Sequence, residues 1–326
     1  NILPNADALF LTAIDPYGHE LWRWTFPVNQ LNQQTEQLSP LSSRPTYTET
    51  ENDLTVKANK RTFIFSKKDG QLKGVSVDNR KISFANGPRF IGARRADRSL
   101  DQFYNHDDEK AKEKDRTYSE FPDAAVFTKL DVKEDGGNLV VTANYKLGNL
   151  DKAQWTINPS GDLALDYTYN FSGVVDLMGI RFDYPEDQVI SKRWLGAGPY
   201  RVWQNRIHGT QYDVWENDYN DPIPGETFTY PEFKGYFGSV SWMNIRTKEG
   251  TISLTNETPD AYIGVYQPRD GRDRLLYTLP ESGISVLNVI PPVRNKVNST
   301  DLCGPSSQPK WVNGPQSGRI IFRFME

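Results

Sequence analysis

The residues from Arg193 to Asn220, RWLGAGPYRVWQNRIHGTQYDVWENDYN, hold the densest set of chemically capable groups in this 326-residue chain. Trp194, Trp203, Arg206, His208, Trp215, Glu216, Asp218 and Tyr219 all fall inside it. A histidine beside a carboxylate can pass protons, so His208 with Glu216, or with Glu232 further on, could form the acid–base pair of a sugar epimerase or mutarotase. Glu216, Asp218 and Asp221 supply hard oxygen ligands for Ca²⁺, though not at the spacing of a calcium loop. Calcium there is the alternative to a chain that needs no cofactor or metal. Exposed aromatic rings next to polar donors suit the apolar faces and hydroxyls of pyranose rings. Trp203, Trp215 and Tyr219 lie in segments without strand alternation, which makes them the aromatics expected to touch sugar.

Other chemistries find little footing. No phosphate loop, dinucleotide fingerprint or zinc-ligand spacing is present. The three histidines, His19, His106 and His208, are far apart, so no metal centre is expected. Cys303 is the one cysteine, which rules out an internal disulfide and fits a periplasmic or secreted bacterial protein, with the cytoplasm left open. A net charge of −4 and a pI near 5.6 give no reason to expect nucleic acid or an anionic membrane as partner. No apolar run approaches the roughly 20 residues needed to span a bilayer. The chain starts at Asn1 without an initiator Met or a secretory segment, so it reads as a mature product or an excised piece.

The elements that must position these residues are strands almost throughout. ALFLTAIDPYGHELWRWTFPV (8–28) reads as a hairpin around Pro16-Tyr17-Gly18, and two strands alone do not make a stable sheet. Residues 1–28 are therefore expected to be the tail of a preceding sandwich domain. The polar, amide-rich 29–45 has the composition of a linker, and 46–326 forms the main domain. Asp69-Gly70 and Asp78-Asn79 mark hairpin turns, and the charged 94–118 reads as a solvated loop. A meander follows, and strand patterns continue at 237–246, 250–256, 261–267, 284–290 and 318–324. No helix-period segment of useful length appears. The expected fold is all-β, a large antiparallel two-sheet sandwich.

Three segments resemble the C-terminal small-chain domain of bacterial β-galactosidases, glycoside hydrolase family 2. RWLGAGPYRVWQNR (193–206) is similar to the signature Trp-Leu-Gly-x-Gly-Pro-x-Glu-x-Tyr-x-Asp-Arg, matching at Trp194, Leu195, Gly196, Gly198, Pro199 and Arg206. NKRTFIFSKKDGQLKGVSVDNRKI (59–82) resembles that domain's opening hairpin, and YPEFKGYFGSVSWMNIRTKEG (230–250) stands where the family has a second motif. Residues 8–28 are similar to the last strands of the immunoglobulin-like domain that precedes it. The pattern departs at Arg201, Trp203 and Asn205, where the signature has Glu, Tyr and Asp. It departs again at Phe233 and Phe237, where the second motif has Glu and Arg. Trp311 is the counterpart of an active-site tryptophan carried by a different C-terminal loop.

The resemblance implies a supersandwich of the galactose-mutarotase type. It implies that the catalytic glutamates belong to a TIM barrel elsewhere on the same polypeptide, leaving this chain non-catalytic alone. Its role is then accessory: shaping the active-site rim and meeting an oligo- or polysaccharide through Trp203, Arg206, Trp215, Tyr219, Glu232 and Trp311. Trp194, Gly196, Gly198 and Pro199 fix a tight turn in this reading, with Arg206 bracing the loop through an internal salt bridge or reaching a sugar hydroxyl. The departures point to altered substrate contacts. Two other functions stand beside it: a free-standing carbohydrate-binding module, and an aldose mutarotase or epimerase built on His208.

Overall fold

The computed structural model describes residues 8–27, 43–95, 118–218, 235–265, 280, 282–292 and 304–326. Most of the linker and of the charged stretch, together with Tyr219, Asp221, Glu232, Phe233 and Cys303, lie outside these residues.

The first hairpin pairs β1 (Ala8–Ile14) with β2 (Glu20–Pro27). Asp15 makes its turn: Oδ1 accepts the backbone N–H groups of Tyr17 and His19, both at 2.8 Å. The bond from His19 is the main reason the Asp15 carboxyl is held below its ordinary value. Gly18 takes φ +90°, which the missing β-carbon permits. The register places Leu9 opposite Phe26, Leu11 opposite Trp24 and Ala13 opposite Trp22. That alternation gathers one apolar face, and Leu9, Leu11, Trp22, Trp24 and Phe26 on it remain 44–56% exposed.

The two larger sheets begin with β3 (Thr46–Glu49), β4 (Asp53–Ala58), β5 (Arg61–Ser66), β6 (Leu72–Val77), β7 (Arg80–Ile82), β8 (Ala85–Arg95) and β9 (Tyr118–Glu120). Next come β10 (Val126–Asp135), β11 (Asn138–Lys146), β12 (Leu150–Ile157), β13 (Leu163–Val175), β14 (Leu177–Asp183), β15 (Val189–Gly198) and β16 (Gln211–Asp218). β17 (Trp242–Thr247), β18 (Gly250–Asn256), β19 (Tyr262–Val265), β20 (Ile284–Val289) and β21 (Lys310–Met325) complete the order. One sheet has nine strands, β10-β11-β12-β13-β21-β18-β17-β15-β16. The other has ten, β19-β20-β14-β8-β6-β5-β4-β3 with β7 on β6 and β9 on β8. Neighbouring strands are antiparallel, and the sheets form the expected large all-β sandwich.

Aromatic rings from both sheets fill the space between them. Phe84 stacks on Phe182 at 4.7 Å, and each meets Phe322 of the opposite sheet, at 5.0 and 5.4 Å. Trp155 closes on Phe182 at 6.0 Å and on Phe65 at 5.9 Å. Such pairs add about 1 kcal/mol each beyond the area they bury. The two sheets are also clamped at one end. Glu249, in the β17–β18 turn, accepts from Ser83 Oγ (2.6 Å), Ser83 N (2.9 Å) and Tyr184 OH (3.1 Å).

Two strand boundaries differ from the sequence pattern. β21 runs over sixteen residues rather than 318–324, because Gly314, Pro315 and Gly318 hide its first half. The strand expected at 237–246 starts only at Trp242, since Ser239 turns into the left-handed region at φ +49°.

Candidate functional site

β15 lies one strand in from the edge of the nine-stranded sheet, between β17 and β16. Trp194 on it is wholly buried, its ring against Phe237 at 4.9 Å and its Nε1 donating to Ala197 O at 3.0 Å. Two positions on the strand are crowded, Gly196 tightly and Gly198 with no room for a β-carbon unless Trp215 moves. A β-carbon on Gly196 would sit 3.0–3.1 Å from Val240 Cα and the carbonyls of Gly238 and Ser239. The Ala197 N–H reaches Gly238 O at 2.9 Å, so this glycine lets the 238–240 backbone lie against the strand. Gly198 faces the indole of Trp215. These glycines thus serve a strand and its close contacts; the expected tight turn comes later.

After the cis Gly198–Pro199 bond, Val202 pairs with Tyr236 through N···O bonds of 2.7 and 2.8 Å. The turn itself spans 203–206, closed by Arg206 N–H to Trp203 O at 2.8 Å. Its second residue, Gln204, is buried and ties three segments together. Its N–H donates to Pro291 O at 3.0 Å, and its Nε2 donates to the carbonyls of Ser306 (3.0 Å) and Gln308 (2.7 Å). Asn205 Nδ2 adds a bond to Ser307 Oγ at 3.2 Å. The segment leading into β21 is therefore fastened beside the 199–208 loop. Large apolar groups remain on these two segments: Tyr200 43% exposed, Ile207 41% and Trp311 71%.

The 199–208 loop lies in a stretch that matches a known family: the model of the beta galactosidase small chain covers residues 57–291. The chain belongs to that family. Among solved structures, galactose 1-epimerase from Lactobacillus acidophilus NCFM is similar over 87% of this chain and 99% of its own, at 10% identity and a TM-score of 0.46. A GalM/aldose epimerase homologue from C. elegans is similar over 86% and 99%, at 8% identity and a TM-score of 0.39. No curated protein matches the chain in sequence.

Several expectations for the small-chain domain change once burial is known. Trp203 is 1% exposed, in a core cluster with Ile91, Leu177 and Ile290, its ring edge-on to Tyr236 at 5.7 Å. Its ring faces are thus closed to any sugar. Trp215 belongs to β16, half-buried over Gly198 with Nε1 donating to Gln211 O at 3.1 Å. Arg206 braces the turn through its backbone. Among the described residues no hydrogen bond or ion pair engages its guanidinium, which lies exposed, so the expected internal salt bridge is not there. His208 and Glu216 are both exposed, and no bond joins them. Trp311 is not in a loop but at the start of β21, opposite Val174. No three His, Cys, Asp or Glu side chains gather as a metal site among the described residues.

Arg201, expected to mark a changed substrate contact, is 4% exposed. Its guanidinium lies 5.9 Å from the Phe237 ring centre, and the buried Lys192 ammonium 5.8 Å from the same ring. Two cations beside one ring exploit its negative π-face. Arg201 and Phe237, two departures from the related signatures, are therefore packed together. The groupings that sequence reasoning missed are the Gln204 tether and the pair Tyr212–Ser241, whose hydroxyl oxygens lie 2.6 Å apart. Gln204 carried no catalytic signal, and Tyr212 was one aromatic among many.

Proposed function

We propose that this beta galactosidase small-chain protein is the C-terminal accessory region of a family 2 glycoside hydrolase and is non-catalytic by itself. The general acid and the nucleophile belong to a catalytic barrel on the same polypeptide. The edge formed by Tyr200, Ile207 and Trp311 lines the mouth of that domain's sugar pocket. The observation that carries this reading is the anchoring by Gln204, which holds the approach to β21 beside the signature loop while Trp311 stays 71% exposed. An uncovered indole on an anchored backbone suits the apolar face of a pyranose ring.

The hairpin supports the multidomain part of the reading. One face of β1–β2 is a continuous row of large apolar side chains, and a two-stranded sheet needs a partner layer. Strands of an immunoglobulin-like domain in the same polypeptide would supply that layer, making 1–28 its tail, 29–45 a linker and 46–326 the small-chain domain.

Two assays test the proposal. The purified 326-residue chain should leave an aryl β-galactoside unhydrolysed and leave galactose mutarotation, followed by polarimetry, at the uncatalysed rate. In the full-length polypeptide, Trp311→Ala should raise KM for a β-galactoside several-fold with a smaller change in kcat. Turnover by the isolated chain, or an unaltered KM in the variant, would sink the reading.

A further inference from the structure

We infer that the groove between β2, β16 and the turns flanking β17 and β18 is a binding site for a neutral saccharide, separate from the Trp311 rim. The groove encloses about 440 Å³, within the size range of small-molecule sites. Thr25 contributes from the hairpin, Tyr212 from β16, Ser239 and Ser241 from the approach to β17, and Thr258 and Asp260 from the turn after β18. The signature strand builds it: Gly196 admits the 238–240 backbone, and Ala197 is the cross-strand partner of Tyr212. The site takes Thr25 from the hairpin and its other walls from the small-chain strands, needs nothing from a catalytic barrel, and goes beyond the accessory role proposed above.

Its lining selects the ligand class by elimination. Among the described residues no Lys or Arg lines it: Arg319 beside it is held by Glu257 at 2.9 Å and Asp166 at 2.6 Å, and Arg23 on β2 by Glu20 at 3.0 Å and Asp213 at 4.0 Å, so an anion would meet Asp260 without a free counter-charge. A metal ion would find no cluster of three carboxylates or imidazoles among the described residues. An apolar ligand would strand the Thr25 and Ser239 hydroxyls and the Asp260 carboxylate, which would lose their water without replacement. A polyhydroxylated neutral molecule satisfies them all, with the partly buried Tyr212 in the lining as its apolar contact.

The polar groups also have capacity to spare. Tyr212 OH and Ser241 Oγ lie 2.6 Å apart, leaving one of the two hydroxyl protons for a ligand. Burial raises the Tyr212 phenol above its ordinary value, so it stays a donor at neutral pH. Among the described residues no hydrogen bond or ion pair engages the side chains of Thr25, Ser239 or Asp260. Ser239 and Asp260 both hold left-handed backbone, at φ +49° and +54°, where glycine is the easiest residue. Both side chains are exposed toward the groove region, consistent with their polar ends being used.

The test uses the 326-residue chain with its Val, Ala and Thr methyls labelled for NMR, titrated with galactose, lactose and galacturonate. The expected result is a saturable shift of the Val240, Ala261 and Thr25 methyls with at least one neutral sugar and none with galacturonate. Tyr212→Phe and Ser241→Ala should each weaken binding about twofold to tenfold, the share of one neutral hydrogen bond. Trp311→Ala should leave it unchanged. Asp260→Asn, at an exposed turn, should admit galacturonate and provides a variant that keeps the fold. No shift with any sugar, shifts centred on Trp311, equal binding of galacturonate, or undiminished affinity in both hydroxyl variants would overturn the inference. None of those outcomes bears on KM of the full-length Trp311 variant, so the two proposals fail separately.

Discussion

The indole of Trp215 lies where a β-carbon on Gly198 would point, its Cγ and Nε1 2.6 Å from that position. Glycine weakens a strand by about 0.5–1 kcal/mol, so its place at the end of β15 needs this contact to account for it. Gly198→Ala must push the indole outward. The cost expected is about 1–3 kcal/mol in urea unfolding, as for other overpacked sites. Trp215→Ala opens the space, and the double variant should recover part of the loss. Strict additivity of the two changes would mean that they do not meet.

Gln204 makes a second prediction, because one buried amide serves two carbonyls. Gln204→Ala leaves Ser306 O and Gln308 O without their donor and should cost about 1–3 kcal/mol. Amide exchange should rise across 304–310 while the core of β13 keeps its protection. Uniform loss of protection would show a general weakening instead of a local tether.

The fold was legible because it is written in alternation and turn chemistry. Asp78-Asn79 turns with both residues left-handed, at φ 46° and 68°, and the 8–28 hairpin falls where its sequence placed it. The site was legible only in part. Gly196 and Gly198 could be picked out as positions of close approach, but their partners, Val240 and Trp215, lie 44 and 17 residues away in the sequence. Burial was the harder quantity. Polar neighbours made Trp203 look exposed, yet Val202 and Trp203 enter a core cluster assembled from β8, β14 and the 236 and 290 segments. No local pattern encodes a cluster drawn from such distant strands.

The two tryptophans should therefore respond in opposite ways. Trp203→Ala removes a fully buried ring and should cost about 3–5 kcal/mol, read by thermal or urea unfolding. Trp311→Ala removes a ring that is 71% exposed and should change stability by less than about 0.5 kcal/mol. A large stability loss at Trp311 would undercut its assignment to the rim, since a KM effect could then arise from unfolding.

Asp162 and Arg323 close the end of the β13–β21 pair, the longest in the sandwich, with Nε to Oδ1 at 2.7 Å and Nη2 to Oδ2 at 2.8 Å. Burial works to raise the Asp162 carboxyl, but the hydrogen bonds and charge of Arg323 outweigh it and hold it below its ordinary value. At neutral pH both folded and unfolded chains carry the charge, so the pair's contribution is fully present. As pH falls below about 4, the unfolded chain takes up the proton first, and that stability drains away until the folded-state value is passed. Asp162→Asn should cost about 2 kcal/mol at pH 7. The gap between the native chain and the variant should narrow on acidification through that window, followed by urea unfolding at each pH. A gap that stays flat from neutral to acidic pH would show that the carboxylate is not held in its charged form by Arg323.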